Sequence, residues 1–86
     1  MKLIRVIDAN YIDEYKIRLS FNDGTIGIVN LKDEIYGNIF EPLKEIEYFK
    51  NFKLDTWTLC WPNGADLSPE FLYELALKSQ PELVKK

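Results

Sequence analysis

The clearest periodic signal in the chain runs from Tyr15 to Phe21, where Tyr15, Ile17, Leu19 and Phe21 alternate with Lys16, Arg18 and Ser20. A two-residue period sends successive side chains to opposite faces of a strand, so one face is expected on a core and the other in water. Asn22-Asp23-Gly24 follows, with Gly24 free to take the positive φ that tight hairpins require. Thr25 to Leu31 returns as a further strand. Its apolar positions shift from Ile26 and Ile28 to Val29 and Leu31, which predicts a bulge or burial on both faces. Lys2 to Asp8, rich in β-branched residues, supplies the first strand, and Asn10 to Asp13 a polar connection. The first part of the chain is therefore expected to be a three-strand antiparallel meander.

The pattern then becomes less regular. Lys32 to Tyr36 is expected as one helical turn stopped by Gly37-Asn38, and Pro42 as the start of a short helix carrying Leu43, Ile46 and Phe49. Lys53-Leu54 and Trp57 to Trp61 form a second hairpin turning at Asp55-Thr56, with Trp57, Leu59 and Trp61 on one face. The last element is the better defined. Ser68 is a natural N-cap, Pro69 suits the first helical position, and Glu70 complements the helix dipole. Leu67 and Leu72 occupy the staple positions before and after that cap. Phe71, Leu72, Leu75 and Ala76 form one face of the helix, Glu70, Glu74 and Lys78 the other, and Pro81 ends it. The fold class is α+β: a small two-layer domain over residues 1–80, followed by a frayed tail at 81–86.

Composition narrows the picture further. Eighty-six residues hold one core, and 47% are apolar, with two Trp, five Tyr and five Phe among them. That material stabilises a thin fold without a disulfide or a metal. Cys60 is the single cysteine, so no internal disulfide forms, which fits a reducing compartment. Lys2 and Arg5 interrupt the apolar start too early for a signal peptide, and no apolar run approaches the roughly 20 residues of a membrane span. A cytoplasmic protein is expected. The net charge is −3, with five basic and six acidic side chains in residues 1–40 and six and eight in residues 41–86. Without a basic stripe, nucleic-acid binding is disfavoured, and the acidic balance leans toward a basic partner.

Catalytic chemistry finds little support. Histidine is absent, which removes the commonest general base and the usual zinc sites. Cys60, between Leu59 and Trp61, is expected as a small buried hydrophobe. The glycines are scattered rather than gathered in a phosphate loop, and the near-neighbour carboxylates Asp33-Glu34, Glu45/Glu47 and Glu70/Glu74 suit solvated faces. No enzyme activity, cofactor or metal is expected. The segment from Trp61 to Ser68 is the one of interest. Its Asn63 and Asp66 can hydrogen-bond their own backbone, Gly64 can take positive φ, and Pro62 stiffens the entry. The favoured reading is a plain strand-to-helix connection. The competing reading is a rigid loop flanked by Trp61 and Tyr73 as a binding hot spot, with Tyr73 and Leu77 widening the apolar stripe of the helix. Trp61, Asn63, Asp66, Tyr73 and Leu77 make up the candidate interaction surface.

Two stretches carry a resemblance. One is Phe21-Asn22-Asp23-Gly24-Thr25 followed by Ile28-Val29-Asn30-Leu31; the other is Trp61-Pro62-Asn63-Gly64-Ala65-Asp66-Leu67-Ser68-Pro69-Glu70, then Leu72-Tyr73. With Phe40-Glu41-Pro42-Leu43 and Phe49 between them, nearly the whole chain resembles the bacterial family known as domain of unknown function 2442. Asn30 departs from the aspartate common in relatives, and the helix-turn-helix-like extension of some relatives has no counterpart here. The resemblance implies a compact α+β domain with no assigned activity. It also implies a gene neighbourhood beside another small uncharacterised family, similar to toxin–antitoxin pairs. The expected function is a non-catalytic protein-interaction module, an antitoxin-like or regulatory partner of a small basic protein, or a homodimer. The alternatives are a DNA-binding regulator and a small-molecule-binding domain.

Overall fold

The structure, a computed structural model, describes residues 3–55 and 58–78. Three strands, β1 (Val6–Asp13), β2 (Lys16–Phe21) and β3 (Ile26–Asn30), form an antiparallel sheet in the order β1-β2-β3. A 3-10 segment, Asn38–Lys44, and a single-turn helix, α1 (Ile46–Phe49), follow. A two-residue-per-strand hairpin, β4 (Lys53–Leu54) and β5 (Leu59–Cys60), leads to the helix α2 (Pro69–Lys78). The architecture is α+β, and the 20 Å short axis of the molecule leaves room for two layers at the ~10 Å spacing of packed elements.

The alternation of β2 is realised. Ile17, Leu19 and Phe21 are buried, while Lys16, Arg18 and Ser20 face outward. Opposite them on β1, Tyr11, Ala9 and Val6 complete the inner face through the pairs Tyr11↔Ile17, Ala9↔Leu19 and Val6↔Phe21. β1 therefore begins later than its β-branched run suggests and continues through residues 10–13. Tyr11 faces the core there, while Asn10 and Asp13 face water, so their polarity does not oppose pairing. The turn needs only Glu14 and Tyr15, with Glu14 at φ 47.

The bulge expected in β3 lies in β1 instead, with register shifts between Val6 and Asp8 and between Tyr11 and Asp13. Ile7 and Ile12 are the extra residues there. β3 alternates without a break: Gly27 and Val29 face inward, Ile26 and Ile28 outward. Its two apolar sets are two faces, one of which meets solvent.

The middle of the chain also differs in detail. Residues 32–34 form a turn closed by the Glu34 N–H donating to the Leu31 carbonyl at 3.0 Å. Gly37, at φ 98, precedes the 3-10 segment, five residues ahead of Pro42. Pro42 sits inside this segment, where the proline ring removes the donor that a 3-10 turn would direct at the Ile39 carbonyl. α2 starts where the cap signals put it. The Phe71 N–H donates to Ser68 Oγ at 3.1 Å, and Leu72 and Ala76 are buried.

The core joins these parts. Phe49, fully buried, lies 5.1 Å from the Tyr15 ring, 5.8 Å from Trp61 and 6.3 Å from Tyr11. α2 packs against β3, and β4 against β1. Among the described residues, no helix is long and apolar enough to cross a membrane. Thr56 and Trp57, expected in the second hairpin, lie outside the described residues, as do Pro81 and the tail at 81–86.

Candidate functional site

The two stretches singled out in the sequence fold into the same turn. In Phe21–Thr25 the Gly24 N–H donates to the Phe21 carbonyl at 3.0 Å, and the Phe21 N–H to the Thr25 carbonyl at 2.9 Å. In Trp61–Ala65 the Gly64 N–H donates to the Trp61 carbonyl and the Trp61 N–H to the Ala65 carbonyl, both at 2.9 Å. The glycines sit at φ 92 and φ 90, a conformation that side chains disfavour. In each, the third residue locks the fifth: Asp23 Oδ1 accepts from the Thr25 N–H at 2.9 Å, and Asn63 Oδ1 from the Ala65 N–H at 3.1 Å. This is the aromatic-x-Asx-Gly turn in two copies.

The second polar atom of each Asx side chain reaches a distant element. Asp23 Oδ2 accepts from the Tyr73 hydroxyl at 2.6 Å, tying the β2–β3 turn to α2. Asn63 Nδ2 donates at 2.8 Å to the Ile39 carbonyl, the oxygen that Pro42 leaves without its 3-10 donor. The chemistry explains the residue types. A carboxylate oxygen suits a hydroxyl donor, and an amide N–H suits a carbonyl acceptor.

These bonds decide the fate of the candidate surface. Trp61 is 2% exposed, and its Nε1–H donates to the Phe49 carbonyl at 2.8 Å, so it is a core residue and no surface hot spot. Tyr73 is half-buried, with its ring edge-on to Phe21 at 5.1 Å and its hydroxyl occupied. Asn63 is a clasp. Asp66 is exposed and bridges Cys60 through its backbone, and Leu77 is exposed on α2. Trp61, Asn63 and Tyr73 thus have structural roles, and Asp66 and Leu77 are surface positions. Cys60, expected as buried, is partly exposed.

Two surfaces that the sequence reading missed are better formed. The first is the outer face of the sheet. Its rows across β1, β2 and β3 are Asp8–Ser20–Ile26, Asn10–Arg18–Ile28 and Asp13–Lys16–Asn30. Ile28 is 43% exposed there, and the bulge residues Ile7 and Ile12 are 54% and 44% exposed beside these rows. The unbroken two-residue period of β3 is the signal that finds it. The second is an open groove of about 330 Å³ lined by Glu34, Tyr36, Phe40, Asp66, Leu67, Ser68 and Phe71. Its walls come from separate segments, and no local pattern announces it. Among the described residues, no group of three His, Cys, Asp or Glu side chains is arranged to hold a metal ion.

The model of a protein family of unknown function, DUF2442, matches residues 6–78. No curated protein and no solved structure matches the chain.

The twin clasps respond differently to one-atom changes. Asn63→Asp removes the donor to the exposed Ile39 carbonyl and sets a carboxylate against it, which is expected to cost about 0.5–1.5 kcal/mol in urea unfolding. A stability within experimental error of wild type would contradict the clasp. At the other turn, the Tyr73 hydroxyl, aided by the Thr25 N–H, holds the Asp23 carboxyl below its ordinary value of 3.8. A carboxyl depressed on folding stabilises the native state above its unfolded pKa, and that contribution is lost as pH falls through the lower folded pKa. Carboxyl-carbon NMR titration is expected to place Asp23 below its ordinary value and to move it upward in Tyr73→Phe. An Asp23 titration that is unchanged in Tyr73→Phe would refute the assignment.

Proposed function

The chain belongs to the DUF2442 family, whose function is unknown, and from that premise we propose that it is a non-catalytic protein-interaction domain that binds through the outer face of its sheet. The observation that carries this reading is the exposure of Ile7, Ile12 and Ile28 on a face that an isolated sheet leaves to polar side chains. Fully burying one such side chain contributes about 1.5–3 kcal/mol, so covering half-exposed isoleucines offers a partner several kcal/mol of association energy.

The charges on the same face set orientation. Asp8 and Asp13 lie along β1, Lys16 and Arg18 along β2. Neighbouring rows of opposite sign select a partner with the complementary pattern, and a second copy turned about a twofold axis is one such partner. The same alternation opposes a DNA backbone, which favours a continuous cationic surface. The role supported is that of a regulatory, antitoxin-like subunit that acts in the cytoplasm by covering another small protein, or its own copy.

The test is affinity capture of the tagged chain from its own cytoplasm, with size-exclusion chromatography of the purified protein. Ile7→Asp/Ile28→Asp is the comparison, since both positions are exposed and the fold does not rest on them. A stoichiometric partner, or a dimer, is expected with wild type and lost in the variant. A wild type that elutes as a 10.1 kDa monomer and retains nothing refutes the proposal.

A further inference from the structure

The groove beside the start of α2 has a composition unlike the sheet face. Tyr36 (71% exposed), Phe40 and Phe71 supply aromatic surface, and Glu34 and Asp66 supply two carboxylates. The volume of about 330 Å³ lies at the lower end of the range in which proteins enclose small ligands. No hydrogen bond or ion pair within the described residues occupies either carboxylate or the Tyr36 hydroxyl. Asp23, Asn63 and Ser68, in the resemblance-bearing stretches, have their side chains committed to the fold. The groove carboxylates do not.

Aromatic faces and carboxylates together select a cation. An ammonium or guanidinium over a ring is attracted by the ring quadrupole, and its N–H groups are satisfied by carboxylate oxygens. The opposing influence is the N-terminus of α2, which presents roughly half a positive charge at Ser68. Two full negative charges outweigh it, and Ser68 Oγ already accepts from the Phe71 N–H. An anionic ligand would meet both carboxylates at once, and a purely apolar ligand would leave them desolvated without partners.

We propose that this groove receives an arginine or lysine side chain from a basic segment of a protein partner. The inference rests on the reading of the chain as an interaction domain, but on a site separate from the sheet face. It also requires no knowledge of the partner for its test.

The probe is the capped tripeptide Gly-Arg-Gly, titrated into isotope-labelled protein and followed by two-dimensional NMR. Its neutral counterpart, with citrulline in place of arginine, is the control ligand. Saturable shifts are expected at the amides of Glu34, Phe40, Asp66, Leu67 and Phe71 with arginine, and none with citrulline. Glu34→Gln/Asp66→Asn is expected to weaken binding about tenfold, the size of effect that loss of paired charges produces at a binding surface. Glu74→Gln, on the outer face of α2, leaves it unchanged. Equal shifts with citrulline, or shifts spread over acidic residues away from the groove, overturn the proposal. So do shifts at the groove amides that grow with protein concentration alone, because a second copy is then the occupant. A positive titration beside a failed sheet-face capture leaves this site standing, and the reverse result removes this site alone.

Discussion

The indole N–H of Trp61 meets the backbone carbonyl of Phe49 at 2.8 Å, in a site where neither group has access to water. Most of the architecture follows from that contact. An unpaired buried carbonyl would cost about 1–3 kcal/mol, and the bond removes that cost while fixing the indole plane. Around it, Phe49 touches Tyr11 and Tyr15 of the sheet hairpin and Trp61 beyond β5. Tyr15 also donates its hydroxyl to the Lys44 carbonyl, so the sheet holds the end of the 3-10 segment that leads into Phe49. Aromatic pairs contribute about 0.5–1.5 kcal/mol each beyond their buried area. For a domain whose total stability is of order 5–15 kcal/mol, this cluster decides whether the sheet and the second hairpin share a core.

Around that junction the two aromatic-x-Asx-Gly turns act as clasps. One ties β2–β3 to α2 through Asp23 and Tyr73, and the other ties the loop before α2 to the 3-10 segment through Asn63 and Ile39. A side chain already making two hydrogen bonds in the native fold has little capacity left for a ligand. The proposed interactions therefore draw on groups that the fold leaves open, the outer isoleucines and the groove carboxylates. The residue types that look most functional in the sequence are the ones most committed to structure.

That inversion explains what was legible. The alternation of β2 and the cap of α2 are local effects, set by neighbours within four residues, and both are recovered at their expected places. The extent of β1 is not, because Asn10 and Asp13 are polar for the reason that they face water in a paired strand, while Tyr11 between them packs inward on Phe49. The double apolar set of β3 reads as a bulge or as burial on both faces, because a solvent-facing apolar row has no structural rationale in the sequence. Trp61 is open to both readings in the sequence, because its residue type describes hot spots and cores equally well. Its bond to Phe49 spans twelve residues and that of Asn63 to Ile39 twenty-four, distances over which sequence periodicity carries no information. The groove joins side chains from both halves of the chain and is a property of the folded state alone.

The large apolar residues divide into a buried set that holds the fold and an exposed set on which the proposed interaction rests, and equilibrium unfolding of the isolated protein tests that division directly. The informative variant carries threonine at Ile7, Ile12 and Ile28 together, which keeps β-branching while removing apolar surface. Exposed substitutions change stability by about 0.5 kcal/mol each, so the triple variant is expected to lose no more than about 1.5 kcal/mol and to unfold with an unchanged denaturant slope. A loss of 4 kcal/mol or more, of the order of truncating a core aromatic, would contradict the account, because these isoleucines would then belong to the fold.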